Sequence, residues 1–385
     1  MKQKNLFVLL LIAGIIFFNN TYGQVPDGAI SPSTNIRADD YPYILPDLRV
    51  MFKVKAPDAG NVQIDLGKIY DMQKDAEGFW TVTTEPIVPG FHYYSLVIDG
   101  VKVADPASET FYGMGRMASG IDIPEEGVDF YTIKNVPHGE ISSRVYFSNT
   151  SKKWRNINIY TPPGYDKNTD TSYPVLYIQH GGGEDERGWA VQGKTNIILD
   201  NLIAEGKSVP MIVVIPNGNA TKPGINVRGY NDEAMEIFKE ELFENVIPFI
   251  ENNYRVKSDA ADRALAGLSM GGGQTFYTGL RNTDMFANVG IFSSGLFGGI
   301  REQAEPFNPE TIIPGILTEP EKFNEALKVF YISVGEQDQR ITYTKKLIDT
   351  FHDNGLNVTF ASFPGDHEWQ VWRKSLHDFA QKLFK

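Results

Sequence analysis

The second half of the sequence alternates continuously apolar runs with amphipathic helical segments, and this pattern limits the possible folds more than any other feature. The runs are YPVLYIQ (173–179), MIVVIP (211–216), RALAGL (263–268), VFYISVG (329–335) and VTFASF (358–363). Strands without polar alternation are buried on both faces, as happens when helices cover both sides of a mostly parallel sheet. The pattern therefore predicts an α/β domain.

The preceding hundred or so residues have a different texture of short strands and turns. DLRVMFKVKAPDAG (47–60) alternates apolar and polar residues before it breaks at Pro57, and GFWTVTTEPIVPGFHYYSLVIDG (78–100) is typical of strand, turn and strand. No long amphipathic helix is evident there. We expect an all-β, immunoglobulin-like sandwich over 24–134, followed by the α/β domain over 135–385.

The N-terminus begins with MKQKN, continues with the apolar run LFVLLLIAGIIFF (6–18) and reaches a small residue at Gly23. A basic segment, a short apolar core and a small residue predict a secretory signal peptide over 1–23, and hence export to the periplasm or beyond. The apolar run is shorter than the ~20 residues that span a bilayer, so we expect no membrane anchor. The chain has 0 cysteines, which excludes disulfides, thiolate metal ligands and a cysteine nucleophile.

The formal net charge of −12 bears on the partners. A chain this acidic is repelled at long range by nucleic acids and by anionic membrane surfaces. An uncharged polysaccharide is compatible with it. The charge therefore argues against a nucleic-acid partner and leaves a neutral partner open.

A G-x-S-x-G pattern, GLSMG, covers 267–271 between the predicted strand RALAGL and a predicted helix. A serine on a sharp strand-to-helix turn needs small neighbours two residues away on each side, and the turn lifts its hydroxyl above the sheet edge. A glycine-rich packing turn and a phosphate-binding loop are the alternatives, but no G-x-G-x-x-G or Gly-Lys-Ser/Thr ending is present. The position predicts that Ser269 is a nucleophile.

A serine nucleophile needs a general base and an acid that orients it, which follow it along the chain in the order Ser, Asp or Glu, His. Among the six histidines, His367 alone follows a strand through a turn into a loop after the serine, so it is the predicted base. The loop after VFYISVG offers Glu336 and Asp338; Asp338 is favoured and Glu336 stays open. Asp366 is disfavoured because adjacent side chains in an extended loop point apart.

Acyl transfer also needs hydrogen-bond donors for the developing oxyanion. One donor is normally the backbone N–H after the nucleophile, here Met270. The glycine-rich loop HGGG (180–183) leaves the carboxyl end of a predicted strand, where ligands bind in open α/β sheets, and Gly182 is the predicted second donor. HEW at 367–369 lacks the second histidine of H-E-x-x-H, so we expect no metal, and no cofactor motif is evident.

Four segments together resemble the feruloyl esterase and acetylxylan esterase family of carbohydrate esterases, whose fold is that of the α/β-hydrolases. They are HGGGEDERGW (180–189), ENNYRVKSDAADRALAGLSMGGGQTF (251–276), VGEQD (334–338) and GDHEWQVW (365–372), within a similarity that covers 140–385. The resemblance implies a triad of Ser269, Asp338 and His367, and so favours Asp338 over Glu336. It also implies oxyanion donors at Gly182 and Met270.

The resemblance extends to the substrate and to the N-terminal half. It implies that Trp372 stands beside the acyl pocket, and Trp189, which follows the oxyanion loop, is a second candidate wall; simple packing is the alternative for both. GFHYYSLVIDGVKVADPAS (90–108) resembles β-sandwich modules of the glycogen-binding type. We expect this module to pack on the catalytic domain rather than to bind glycan, because aromatics such as Trp80, Tyr93 and Tyr94 are more often core residues.

Three functions remain open from the sequence. The first is an exported serine esterase that removes feruloyl or coumaroyl groups from plant arabinoxylan, for which an aromatic pocket wall provides stacking. The second is an acetylxylan esterase, which differs in the size of its acyl pocket. The third is a non-catalytic carbohydrate-binding protein, which the presence of all three triad residues disfavours. The expected partners are feruloylated or acetylated cell-wall polysaccharides or their oligosaccharides.

Overall fold

A computed structural model describes residues 25–37, 40–227, 229–299 and 307–385. The predicted signal peptide, 1–23, lies outside the described residues. Within them, no helix has the length and apolarity that crossing a membrane requires.

The N-terminal half folds into two antiparallel sheets that pack face to face. Its strands are β1 (Tyr43–Ile44), β2 (Arg49–Lys55), β3 (Val62–Asp65), β4 (Ile69–Asp71), β5 (Gln73–Lys74), β6 (Phe79–Pro86), β7 (Gly90–Ile98), β8 (Val101–Val103), β9 (Thr110–Gly113) and β10 (Arg116–Ile123). One sheet has the order β1-β2-β6-β5 and the other β4-β3-β7-β10-β9, with β8 on β7. Phe52 from the first sheet and Ile64 and Tyr94 from the second share one core, so the predicted all-β sandwich is confirmed.

The second half is built on one mixed sheet with the order β11-β12-β14-β13-β15-β16-β17-β18. Its strands are β11 (Glu140–Ser148), β12 (Lys153–Thr161), β13 (Val175–Gln179), β14 (Ile212–Pro216), β15 (Arg263–Leu268), β16 (Asn288–Phe292), β17 (Val329–Gly335) and β18 (Thr359–Phe363). From β14 to β18 neighbouring strands are parallel, whereas β11 and β12 are antiparallel. The α/β-hydrolase architecture expected from the sequence is confirmed.

The helices cover both faces of this sheet. They are α1 (Thr195–Ala204), α2 (Asp232–Glu241), α3 (Ile247–Asn253), α4 (Met270–Arg281), α5 (Pro309–Ile312), α6 (Pro320–Ala326), α7 (Ile341–Asp353) and α8 (Trp369–Ala380), with a π-helical segment (Leu242–Val246) joining α2 to α3. On one face Val213 packs with Leu199 of α1 and Leu376 of α8. On the other, Val214 packs with Phe238 of α2. Neighbouring residues of β14 thus serve opposite cores, which explains its uninterrupted apolar sequence.

The two halves share a hydrophobic cluster. Phe91 and Phe111 of the sandwich lie in the same buried cluster as Trp369 and Trp372 of α8. Beside it, the buried Arg373 Nη1 lies 3.0 Å from Asp122 Oδ1 of β10. The expectation that the sandwich packs on the other half agrees with these contacts, while the boundary at residues 134 and 135 stays a prediction.

Candidate active site

The nucleophile candidate occupies a strained turn between β15 and α4. Ser269 has φ 51° and ψ −113°, a left-handed conformation that is costly for any residue with a Cβ and that persists only where the surroundings enforce it. A Cβ on Gly267 would lie 2.4 Å from the Gly271 carbonyl oxygen, and one on Gly271 would lie 2.6 Å from that of His180. The glycines of GLSMG are therefore required by close backbone approaches around the serine.

The structure brings Ser269, His367 and Asp338 together. His367 Nε2 lies 2.9 Å from Ser269 Oγ, and His367 Nδ1 lies 2.7 Å from Asp338 Oδ2. With Nδ1–H donating to the carboxylate, Nε2 is left to accept the serine proton, which is the arrangement of a nucleophile, a base and an orienting acid. The three residues come from the loops after β15, β18 and β17, at the carboxyl edge of the sheet.

Asp338 is suited to remain ionised although its side chain is 0% exposed. Burial acts to raise its pKa, but the hydrogen bond and charge of His367 and the hydrogen bonds from Arg340 outweigh that effect, so the pKa lies below the ordinary value. The Arg340 backbone N–H and Nη1 donate to Asp338 Oδ1 over 3.0 and 2.9 Å. One carboxylate oxygen is thereby fixed by Arg340 while the other faces the imidazole.

The glycine-rich loop after β13 reaches the same site. His180 is buried, and its Nε2 accepts the Gly218 N–H over 2.9 Å. Burial lowers the pKa of His180, so its ring is a neutral structural group that ties the loop to the segment after the neighbouring strand β14. Gly182 lines the cavity in front of Ser269, and Met270 is the first residue of α4. The role of both as oxyanion donors stays a prediction.

A cavity of about 390 Å³ opens in front of the triad. From the second half it is lined by Leu268, Trp369 and Trp372 in addition to the loops already described. The sandwich contributes a comparable share: Asp65, Leu66, Gly67, Phe91, His92, Tyr93, Met114 and Arg116. Trp372 is 6% exposed, and its ring meets the His367 ring edge-on at 5.0 Å between centroids. The cavity is thus mostly apolar and aromatic, with the reactive groups at one end.

Residues 148–383 match the family model described as "Putative esterase". The chain belongs to this esterase family. A named relative, the endo-1,4-beta-xylanase/feruloyl esterase of Xylanibacter ruminicola, is 36% identical over 91% of this chain, but the chain spans only 47% of that protein. The assignment made from the sequence motifs is confirmed.

Solved structures agree with this assignment. The ferulic acid esterase of Anaeromyces mucronatus is 27% identical, with a TM-score of 0.57 over 67% of this chain and 96% of that one. The enterobactin esterase of Shigella flexneri has a TM-score of 0.66 over 91% of this chain and 95% of that one, at 16% identity. The second similarity concerns the fold alone, and it includes both halves of this chain. The glycogen-binding character of the sandwich stays a prediction.

Trp189 does not have the position that the sequence suggested. It is 0% exposed, its Nε1 donates to the Gln179 carbonyl over 2.9 Å, and it packs edge-on against Trp369 at 5.3 Å. It is absent from the cavity lining. Trp369 is the aromatic residue that stands between it and the cavity, so Trp189 supports the pocket from behind and is not its wall.

Sequence reasoning missed the contribution of the sandwich to the cavity and also missed Glu184. Glu184 is 5% exposed, and burial raises its pKa to about 7, against the weaker opposing effect of hydrogen bonds from the Gly181 N–H and Tyr93. The acidic run EDE (184–186) was the only signal, and its first member could not be distinguished from exposed carboxylates by sequence. Among the residues that the structure describes, no cluster of three or more His, Asp or Glu could hold a metal.

The pKa of Glu184 makes the stability of the esterase depend on pH. A carboxyl whose pKa is raised on folding stabilises the native state below its unfolded pKa and loses that contribution as pH rises through the folded value. Between pH 4.5, the ordinary pKa of the carboxyl, and pH 7, its value in the fold, the free energy of unfolding falls by about 3 kcal/mol. We therefore expect Glu184→Gln to become more stable relative to the unmodified chain between pH 5 and pH 8, as measured by denaturant unfolding. Glu126→Gln, at an exposed carboxylate, is the control, and a pH-independent difference for Glu184→Gln would contradict the expectation.

Proposed function

We propose that the chain is an exported serine esterase that hydrolyses feruloyl or coumaroyl esters of plant arabinoxylan through an acyl-enzyme. The observation that carries the proposal is the hydrogen-bonded series from Ser269 Oγ through His367 to Asp338. Its position at the end of an aromatic cavity supports an acyl group with a ring. Export rests on the predicted signal peptide.

The geometry supports a two-step reaction. His367 Nε2 accepts the proton of Ser269 as Oγ attacks the ester carbonyl, while Asp338 stabilises the imidazolium that forms. The backbone N–H groups of Met270 and Gly182 donate to the oxyanion. The sugar hydroxyl then leaves with the proton from His367, and water hydrolyses the acyl-enzyme by the same route.

The acyl specificity is argued from the cavity. A hydroxycinnamoyl ring gains apolar burial and edge or stacking contacts with Trp372, Trp369 and Phe91, whereas an acetyl group gains little. The named Xylanibacter relative is a xylanase and feruloyl esterase, and the Anaeromyces enzyme has been solved in complex with ferulic acid. An acetylxylan esterase is the alternative. Initial rates of the purified chain on methyl ferulate and on 4-nitrophenyl acetate distinguish the two, since turnover of the acetate alone would favour deacetylation.

We expect Trp372→Ala to discriminate between these esters. Because the indole ring also touches His367, its removal should lower kcat/KM on both esters. Loss of the contact between the indole and the ferulate ring should lower kcat/KM on methyl ferulate by about a further tenfold relative to 4-nitrophenyl acetate. The ratio of the two kcat/KM values is the measurement, and it cancels any common effect on His367. Trp154→Ala, at an indole that is 69% exposed and away from the cavity, is the control. An unchanged ratio would remove Trp372 from the acyl site.

A further inference from the structure

One tyrosine of the sandwich lies at the centre of a buried polar network beside the active site. The hydroxyl of Tyr93, on β7, accepts from Gln192 Nε2 over 2.8 Å and from Trp369 Nε1 over 3.1 Å. It donates to Glu184 Oε1 over 3.1 Å. A phenolic hydroxyl has one proton and two lone pairs, so these three bonds use its full capacity. The network fixes the position of the Glu184 carboxylate.

Glu184 in turn holds the loop that carries the proposed oxyanion donor. Its Oε2 accepts the Gly181 N–H over 3.2 Å. A Cβ on Gly181 would lie 2.6 Å from Leu268 Cδ1, 3.4 Å from Ser269 Cβ and 3.6 Å from Glu184 Oε2, so this glycine lies close to both the nucleophile and the carboxylate. The residue before Gly182 is therefore fixed by a side chain that Tyr93 positions.

The residue after Gly182 is also fixed by the sandwich. The Gly115 N–H, in the turn between β9 and β10, donates to the Gly183 carbonyl over 2.8 Å. Gly183 has φ +79°, and a Cβ there would lie 3.0 Å from the Gly115 nitrogen. Both neighbours of Gly182 thus depend on the sandwich. Gly183 is bonded directly to its backbone, and Gly181 is held through Glu184 and Tyr93.

We propose that Tyr93 is a positioning residue of the esterase reaction, which acts through Glu184 to hold the oxyanion loop in its productive geometry. The inference rests on the proposed function and adds to it a role for the sandwich in the chemical step. Oxyanion donors act only when they point at the position where charge develops, and loss of one lowers kcat by about 10²- to 10³-fold. If the contact with Glu184 is lost, the Gly182 N–H is still present but is no longer held in the direction of the oxyanion.

The test compares Tyr93→Phe with Tyr94→Phe in the full chain. Tyr94 is the next residue of the same strand, and its buried hydroxyl donates to Asp105 Oδ2 over 2.9 Å inside the sandwich. Both variants remove one hydroxyl that bonds a carboxylate, half-buried in Tyr93 and buried in Tyr94, so both should lower the thermal midpoint. On 4-nitrophenyl acetate, Tyr93→Phe is expected to lower kcat about 10- to 100-fold with KM within about threefold, while Tyr94→Phe keeps kcat within about twofold.

A second variant tests the route through Glu184. In Glu184→Gln the amide nitrogen replaces one acceptor oxygen, so one of the two bonds from Gly181 and Tyr93 is lost and kcat falls in the same way. Because the two side chains act in series, the double variant should lose no more kcat than the more severe single variant. Additive losses, or a Tyr93→Phe variant with the kcat of Tyr94→Phe, would overturn the inference. An unmodified chain that cleaves no ester would instead defeat the proposed function.

Discussion

Replacement of Ser269 by alanine is expected to lower kcat on methyl ferulate by about 10⁵- to 10⁶-fold, because no other group occupies the position from which Oγ attacks. Alanine carries the same Cβ as serine, so the left-handed backbone at φ 51° gains no further strain. Removal of one hydroxyl should therefore leave the fold and its thermal midpoint almost unchanged. Ser269→Ala should therefore lose activity without a loss of stability.

Ser293 provides a matched control for Ser269. It is also buried and left-handed, at φ 47°, and its Oγ has no hydrogen-bond partner among the described residues. Ser293→Ala should keep kcat within about twofold of the unmodified chain. Labelling with a serine-directed fluorophosphonate gives a second measurement, in which the unmodified chain and Ser293→Ala are labelled and Ser269→Ala is not. Equal labelling of Ser269→Ala would place the nucleophile elsewhere.

Replacement of Asp338 by asparagine should lower kcat by about 10³- to 10⁴-fold, the second largest effect that we expect. The amide removes the charge that stabilises the imidazolium, and an N–H facing His367 Nδ1 would favour the tautomer with its proton on Nε2. That tautomer cannot accept the serine proton. Arg340 would also keep its buried charge without the carboxylate that it now contacts at 2.9 Å, so some loss of stability accompanies the loss of rate.

Glu336→Gln is the control for Asp338→Asn, since Glu336 lies two residues earlier in the same loop and is exposed. It should keep kcat within about twofold on methyl ferulate. A pH–rate profile of each variant completes the comparison. If Glu336→Gln loses activity while Asp338→Asn keeps it, the acid has been assigned to the wrong carboxylate.

The order of the site residues along the chain could be predicted because each one follows a strand at the same sheet edge. Parallel strands end together, so loops that are far apart in sequence meet there. The choice between Asp338 and Glu336 could not be made from residue types, because both are carboxylates in one loop. The family resemblance favoured Asp338, and in the structure its burial and its hydrogen bonds to Arg340 and His367 distinguish it from the exposed Glu336.

Other features were missed for identifiable physical reasons. Strands β11 and β12 were not among the predicted strands, and the sequence of β11, EISSRVYFS, shows neither an apolar run nor a regular apolar alternation. Strand β16 is only five residues long and was not among the predicted strands. Trp189 was placed near the pocket by its proximity in sequence to the oxyanion loop, which says nothing about where its side chain points.

The sandwich residues of the site were missed because their partners are remote in sequence. The bond between Tyr93 and Trp369 joins positions 276 residues apart. No periodicity or local motif reports such a contact. Trp80 and Tyr94 lie in the sandwich core as predicted. Tyr93, which was predicted with them, is half-buried and lines the cavity on the surface that the sandwich presents to the neighbouring half.

Helix α8 has a consequence for the timing of activity during biosynthesis. It directly follows His367, it carries Trp369 to the Tyr93 hydroxyl, and its Arg373 bonds both Asp122 and the Gln192 carbonyl. A growing chain that has already made the sandwich and the serine turn still lacks the base and the element on which the two halves meet. Ester cleavage by this triad is therefore expected only after α8 has been synthesised.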